Sequence, residues 1–153
     1  MTLLHKYVCS ILFTILALPL LSFGQSQDKD ITYIRRFVHD LSVDSIATDV
    51  LLSQYVSIKQ EVDEDYLDYL IASLDEVRLN IQNKDIKEIQ YLNWNQIPRK
   101  DTRDIDPEGL DTNKMYFLKY KGRQVVAIYL EEERVASFTL VSKGDKIAHF
   151  VTY

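Results

Sequence analysis

Apolar residues recur every three or four positions between about residue 30 and residue 83, and this spacing predicts helices with one buried face. The segment divides into three such helices, and the third has the most regular stripe. Asp63, Glu64 and Asp65 precede that third stripe, where the dipole and free N–H groups of a helix N-terminus favour carboxylates. The predicted stripes are Ile31, Ile34, Phe37, Val38 and Leu41; then Ile46, Val50, Leu51, Val56 and Ile58; then Leu67, Leu70, Ile71, Leu74, Val77 and Ile81.

After Lys87 the pattern changes to short runs rich in β-branched and aromatic residues, which predict strands. A first strand is expected at Ile89–Asn95, and four further runs lie between Met115 and Tyr153. The connections between these four runs are too short for crossovers, so neighbouring strands should be antiparallel. Pro98–Asn113 is polar and contains prolines, and it is expected to form a long exposed loop with little to bury.

Helices followed by strands predict the α+β class. We expect three N-terminal helices packed on one face of a curved antiparallel sheet of about five strands, which ends in a C-terminal meander. Residues 25–153 should form a single domain, because their number is typical of one hydrophobic core.

The first 24 residues have the order of a secretory signal peptide. Lys6 precedes an apolar stretch over residues 7–23, and the small residues Ser22 and Gly24 fit a cleavage site. Cleavage after Gly24 would leave residues 25–153 as an exported domain, periplasmic or secreted, without a membrane anchor. A retained anchor is the alternative, because the apolar stretch is close to the shortest that spans a bilayer.

The single cysteine and the acidic net charge argue against several classes of function. Cys9, the one cysteine of the chain, would leave with the leader, so the mature domain would have no disulfide and no thiolate chemistry. Loss of Lys6 would change the formal net charge from −5 to −6. Arg35, Lys121 and Arg123 are interspersed with acids along the chain, which argues against a nucleic-acid partner. There is no cofactor-binding motif, no glycine-rich phosphate loop and no paired-cysteine metal site.

The order of elements, together with the stretch Asp49–Val56, resembles the NTF2-like (cystatin-like) superfamily. The resemblance implies a sheet wrapped around a helix, with a pocket that relatives use for ligand binding, for homodimer formation or, in a few enzymes, for proton transfer. The chain departs from the usual order of that superfamily in having no clear strand between its second and third helices.

His149 is the candidate catalytic residue. Alternation along the last strand places it on one face with Ile147, Val151 and Tyr153, directed toward the helices or toward the mouth of the cone that the sheet would form. A histidine in a pocket can act as a general base near neutral pH. A histidine whose ring nitrogens are bonded by backbone or tyrosine groups is the simpler interpretation.

Two further sets of residues are candidates for binding. Tyr91, Trp94, Tyr116 and Tyr129 could form an exposed aromatic surface, although strand aromatics more often fill a core. Asp104–Gly109 has oxygen-bearing residues at alternate positions and a glycine at the sixth, as in the first half of a calcium loop. The twelfth position is Met115 instead of glutamate, so a solvated acidic loop is expected and no metal site is predicted.

The sequence therefore favours an exported, non-enzymatic domain that binds a small ligand or a protein through the concave face of its sheet. The alternative is an isomerase or hydrolase in which His149 is the base. A buried polar cavity around His149 would favour the enzyme.

Overall fold

The structure is a computed structural model that describes residues 27–59, 61–142, 144 and 146–153. The predicted signal peptide, residues 1–24, lies outside the described residues.

Three main helices form where the apolar stripes predict them. They are α1, which is helical over residues 27–41, α2 (Thr48–Tyr55) and α3 (Glu64–Gln82), and a single turn, α4 (Arg99–Thr102), follows later. Asp63 caps α3 by accepting a hydrogen bond of 2.8 Å from the backbone N–H of Tyr66. α2 is shorter than its predicted stripe, because Val56 becomes extended and pairs with Val135.

The strands form two antiparallel sheets. The larger has the order β1-β2-β3-β4, with β1 (Gln90–Asn93), β2 (Met115–Tyr120), β3 (Arg123–Glu131) and β4 (Arg134–Ser137). The smaller is a hairpin of β5 (Leu140–Ser142) and β6 (Ala148–Phe150). The α+β class is confirmed, but the predicted meander divides after β4. There the Ser137 hydroxyl bonds both the N–H and the carbonyl of Thr139, and this local turn leads the chain out of the larger sheet.

The larger sheet is buried on both faces, whereas the sequence led us to expect helices on one face only. Successive residues of β2 and β3 point to opposite faces. One set packs against the three helices, and it comprises Tyr116, Leu118, Val126, Ile128 and Leu130. The other set packs beneath the 94–114 segment and β6, and it comprises Met115, Phe117, Ala127 and Tyr129. This second core explains why the inner strands are apolar almost without interruption.

The 98–113 segment is largely exposed, as its polar composition predicts, but it is more firmly attached than a segment with little to bury. Ile105 and Leu110 pack against the second core. The backbone N–H of Asp106 donates to the carbonyl of Ala148 at 2.9 Å, and the N–H of Ala148 donates to the carbonyl of Asp104 at 2.8 Å. The segment is therefore held to β6 by strand-like hydrogen bonds as well as by apolar contact.

A largely buried ion pair holds α4 to the same face of the sheet. The Lys119 side chain is 11% exposed, and its Nζ donates to Oδ2 of Asp101, which lies on α4. This hydrogen bond from Lys119 lowers the pKa of Asp101. A buried ammonium group without its counter-ion is destabilising. The pairing of Lys119 with Asp101 therefore holds α4 against the sheet.

The C-terminal residue closes the core. Tyr153 is 3% exposed, and its hydroxyl accepts a hydrogen bond of 3.2 Å from the N–H of Phe138 and bonds the hydroxyl of Thr139. Its backbone N–H donates to Ala136 at 3.2 Å, and its carbonyl accepts from Lys59 at 3.0 Å. Burial raises the pKa of Tyr153 to about 12, because the interior disfavours the phenolate.

We predict that Leu74→Ala will destabilise the protein by about 2–5 kcal/mol, because the side chain is fully buried in the middle of α3. Leu79→Ala on the same helix is the matched control. Leu79 is 61% exposed, so its truncation should change stability by no more than about 0.5 kcal/mol. Urea denaturation of the two variants is the measurement, and equal midpoints would contradict the placement of α3.

Asp101→Asn should release α4, because it leaves Lys119 without its counter-ion. We expect trypsin to cleave the native variant faster than the wild type at Arg99, Lys100 or Arg103. Glu131→Gln is the control, because it removes a carboxylate from an exposed ion pair with Lys59. Glu131 lies at the end of β3 that is distant from Lys119. Equal cleavage rates in the wild type and Asp101→Asn would show that the ion pair does not hold this segment.

The fold should lose stability in alkali. Below pH 10 the Tyr153 phenol is neutral in both the folded and the unfolded chain. As the pH rises from about 10 through 12, the unfolded chain ionises first, and roughly 2–3 kcal/mol of stability is lost. Urea midpoints measured between pH 9 and 12 should fall in this range. They should fall less steeply for Tyr153→Phe, even though this variant starts lower, and parallel slopes would contradict the assignment.

Candidate functional site

His149 lies on β6, on the far side of the larger sheet from the helices. The prediction that it faces the helices in one row with Tyr153 is therefore wrong, because β6 ends at Phe150 and packs against the second core. The residue is 7% exposed, and its Nδ1 lies 3.0 Å from Oε1 of Glu108. The distance is that of an ion pair for a protonated ring, but the contact does not qualify as a hydrogen bond. The ring is thus held under the 104–109 loop, next to a carboxylate instead of the backbone or tyrosine partners that we expected.

The carboxylates of the predicted acidic loop are engaged within the protein. Asp104 pairs with Arg103 at 2.9 Å, and Asp106 accepts from the backbone N–H of Glu108 at 2.9 Å. Glu108 itself contacts His149. Within the described part of the chain, no three histidine, cysteine or acidic side chains lie close enough together to hold a metal ion.

The four candidate aromatic residues do not form one surface. Tyr91 and Tyr116 lie on the helix side of the sheet, where the guanidinium of Arg35 covers the Tyr91 ring at 4.5 Å. Trp94 and Tyr129 lie on the other side and contact Phe117 and Phe150, respectively. Tyr116 is completely buried. The proposed binding surface is therefore divided between two cores, and the concave sheet face that was expected to bind a ligand is covered.

A groove at the surface offers a different candidate site. It has a volume of about 520 Å³ and lies between α1 and the turn that joins β3 to β4. Lys29, Tyr33 and Arg36 form its α1 wall, since residues at these intervals share one face of a helix. Leu130 and Glu133 line the opposite side. We call this feature the α1 groove.

Asp30 lines the α1 groove and fixes α1 to the sheet. It is 6% exposed, and its Oδ2 accepts hydrogen bonds from Nζ of Lys114 at 2.8 Å and from the hydroxyl of Tyr116 at 2.7 Å. Burial, followed by the bond to Asp30, raises the pKa of the Tyr116 hydroxyl. Tyr116 is therefore a neutral donor at physiological pH, and one wall of the groove is rigidly positioned.

A second hydrogen-bonded set steadies the other end of the α1 wall. The hydroxyl of Tyr33 donates to the carbonyl of Tyr55 at 2.9 Å, and the hydroxyl of Tyr55 donates to Oδ2 of Asp40. The bond from Tyr55 lowers the pKa of Asp40, and His39 adds to that effect. The tyrosine ring that faces the groove is thus fixed by a buried neighbour on α2.

Glu133 occupies a strained backbone position. Glu131 and Arg134 are the last cross-strand pair of the β3–β4 hairpin. Glu132 and Glu133 therefore form a two-residue turn, with φ of +50° and +61°. Such a turn favours Asn-Gly, because side chains with a Cβ are disfavoured at positive φ. The β2–β3 turn of the same sheet has the expected glycine, Gly122, at its second position. A glutamate at a position where glycine would be more stable is the kind of strain found at functional sites.

Sequence reasoning missed the α1 groove. Glu131–Glu133 lies in one of the short connections between the predicted strands, but the local pattern does not relate its charge to α1, which lies about 100 residues earlier. A signal was present in the polar stripe of Lys29, Tyr33 and Arg36, which follows the same helical interval as the apolar stripe.

Comparison of the chain with protein-family models, curated proteins and solved structures found no match in any of the three. The resemblance to the NTF2-like superfamily therefore stays a prediction. The fold defines the class of the protein as a small α+β domain with a doubly covered sheet. Among the described residues, no helix has the length and apolar character needed to cross a bilayer.

Proposed function

We propose that this chain is an exported, non-enzymatic binding domain that takes a small polar ligand, or a short segment of a protein, in the α1 groove. Export is inferred from the signal-peptide pattern of the first 24 residues. The site differs from the concave sheet face favoured by the sequence, because both faces of that sheet are occupied by the protein's own side chains.

The observation that carries the proposal is the strained Glu133 at the wall of the groove. A glutamate at positive φ destabilises the fold relative to glycine, and a side chain that contacts a ligand would account for its presence. Within the described residues, no cation lies within ion-pair distance of this carboxylate. It faces a helix wall that carries Lys29 and Arg36, so the groove offers both signs of charge to a polar ligand.

The alternative, a proton-transfer enzyme with His149 as its base, lacks comparable support. A general base must reach a proton on bound substrate. His149 does not line the α1 groove, and it is enclosed beneath the 104–109 loop beside Glu108. The hydrolase or isomerase hypothesis is therefore the weaker one.

Two readouts of one substitution test the proposal. Glu133→Gly should raise the free energy of unfolding by about 1 kcal/mol, because it removes the positive-φ penalty. The same change should weaken binding of any ligand that uses the carboxylate. Binding is measured by amide NMR during titration with a panel of amino acids, dipeptides and monosaccharides. A ligand should shift the signals of Lys29, Tyr33 and Arg36.

Thr32 lines the groove and is exposed, so the larger side chain of Thr32→Trp should fill the groove. This variant should abolish the ligand-induced shifts. Leu79→Trp is the control, because Leu79 is 61% exposed on α3 and does not line the groove. His149→Gln should leave binding unchanged between pH 6 and 8. Ligand shifts that survive Thr32→Trp, or that centre on His149, would overturn the assignment of the site.

A further inference from the structure

A basic cleft lies at the other end of β3 from the α1 groove. It has a volume of about 590 Å³ and is formed by the C-terminal part of α3 and the β2–β3 turn. Arg123 and Glu131 are the two ends of β3 and lie eight positions apart, which corresponds to about 26 Å in a strand. The cleft is therefore a separate site, and its role is independent of the function proposed for the groove.

A β-bulge shapes the cleft. Leu118 pairs with Val126 and Lys119 pairs with Gln124, so Val125 is the additional residue on β3. Its carbonyl accepts a hydrogen bond of 3.2 Å from the side-chain amide of Asn80 on α3. The bulge and this bond bring the end of the hairpin against α3. Bulges are common beside binding sites, where they redirect side chains.

The lining of the cleft contains cations and no acid. Lys84, Lys121 and Arg123 line it, together with Asn80, Tyr120 and Gln124. Lys84 donates to the backbone and side-chain oxygens of Asn80, so it serves partly to cap the end of α3. Lys121 lies over the Tyr120 ring at 5.0 Å from its centre. Its interaction with the Tyr120 side chain, and to a smaller extent the charge of Glu88, raise the pKa of Lys121.

Arg123 is exposed, and no carboxylate in the described part of the chain lies within ion-pair distance of Arg123 or of Lys121. Arg123 is the cross-strand partner of Tyr120, so both side chains leave the sheet on the side of α3. A protein with formal net charge −5 thus gathers three cations around one concavity, and packing brings Lys84 beside two cations of the β2–β3 turn that lie nearly 40 positions later in the sequence.

We propose that this basic cleft binds a phosphate group carried by a small soluble ligand. The guanidinium of Arg123 can donate two parallel hydrogen bonds to phosphate oxygens, and Lys121 adds a mobile point charge. The amides of Asn80 and Gln124 are further donors around the same space. The volume of the cleft admits the phosphate together with a small attached group.

The test is amide NMR titration of the purified protein with inorganic phosphate and with pyrophosphate at constant ionic strength. Shifts should centre on residues 120–125 and on Asn80. Arg123→Gln should weaken pyrophosphate binding by about tenfold or more, because it removes the guanidinium charge and its pair of charge-assisted hydrogen bonds, and Lys121→Gln should also weaken it. Lys84 is left intact because it also caps α3.

Lys100→Gln is the control, because it removes one exposed positive charge on α4 and leaves the cleft unchanged. Equal affinities for pyrophosphate in Lys100→Gln and Arg123→Gln would overturn the proposal, since the effect would then follow net charge alone.

A second experiment uses phosphatidylcholine vesicles containing phosphatidylglycerol. Co-sedimentation that depends on Arg123, without any response to pyrophosphate, would also overturn it by indicating a membrane surface instead of a soluble ligand.

Discussion

Burial of the four-stranded sheet on both faces is the constraint on which the rest of this structure depends. Residues of the inner strands cannot meet water on either side, so nearly all are apolar, and the polar exceptions must be paired. Tyr116 bonds Asp30 on the helix side, and Lys119 pairs with Asp101 on the other. These two contacts, together with the apolar packing, join α1 and α4 to opposite faces of the same strand. The sheet thus fixes the positions of both covering layers.

Because both faces of the sheet are filled by the protein's own side chains, the candidate binding sites lie at the ends of the strands. The α1 groove and the basic cleft lie at the two hairpin turns that bound β3, where the backbone is exposed and side chains can extend beyond the packed layers. In each case the turn or strand departs from regular geometry. Two consecutive glutamates have positive φ at one end, and an additional residue forms a bulge at the other. These departures direct charged side chains toward a neighbouring helix.

The covering of the sheet also determines the environment of His149. Its ring is enclosed because the 104–109 loop lies across β6, and Glu108 reaches it from a turn in which Glu108 itself has positive φ. The pair resembles a catalytic arrangement in its chemistry, but His149 lines neither the α1 groove nor the basic cleft. A structural contact that holds the loop to β6 accounts for its position.

The sequence by itself determined the α+β class, the three helices and the antiparallel hairpins, because these follow from local periodicity and turn residues. Leu74, for example, lies in the predicted apolar stripe of the third helix and is fully buried. The sequence did not reveal that Pro98–Asn113 covers a second core, since the polar composition of that segment hides the few apolar contacts made by Ile105 and Leu110. It also could not show that α1 faces Glu133, or that Lys84 lies beside Arg123. Those juxtapositions arise from packing between residues about 40 to 100 positions apart, and only the tertiary structure decided them.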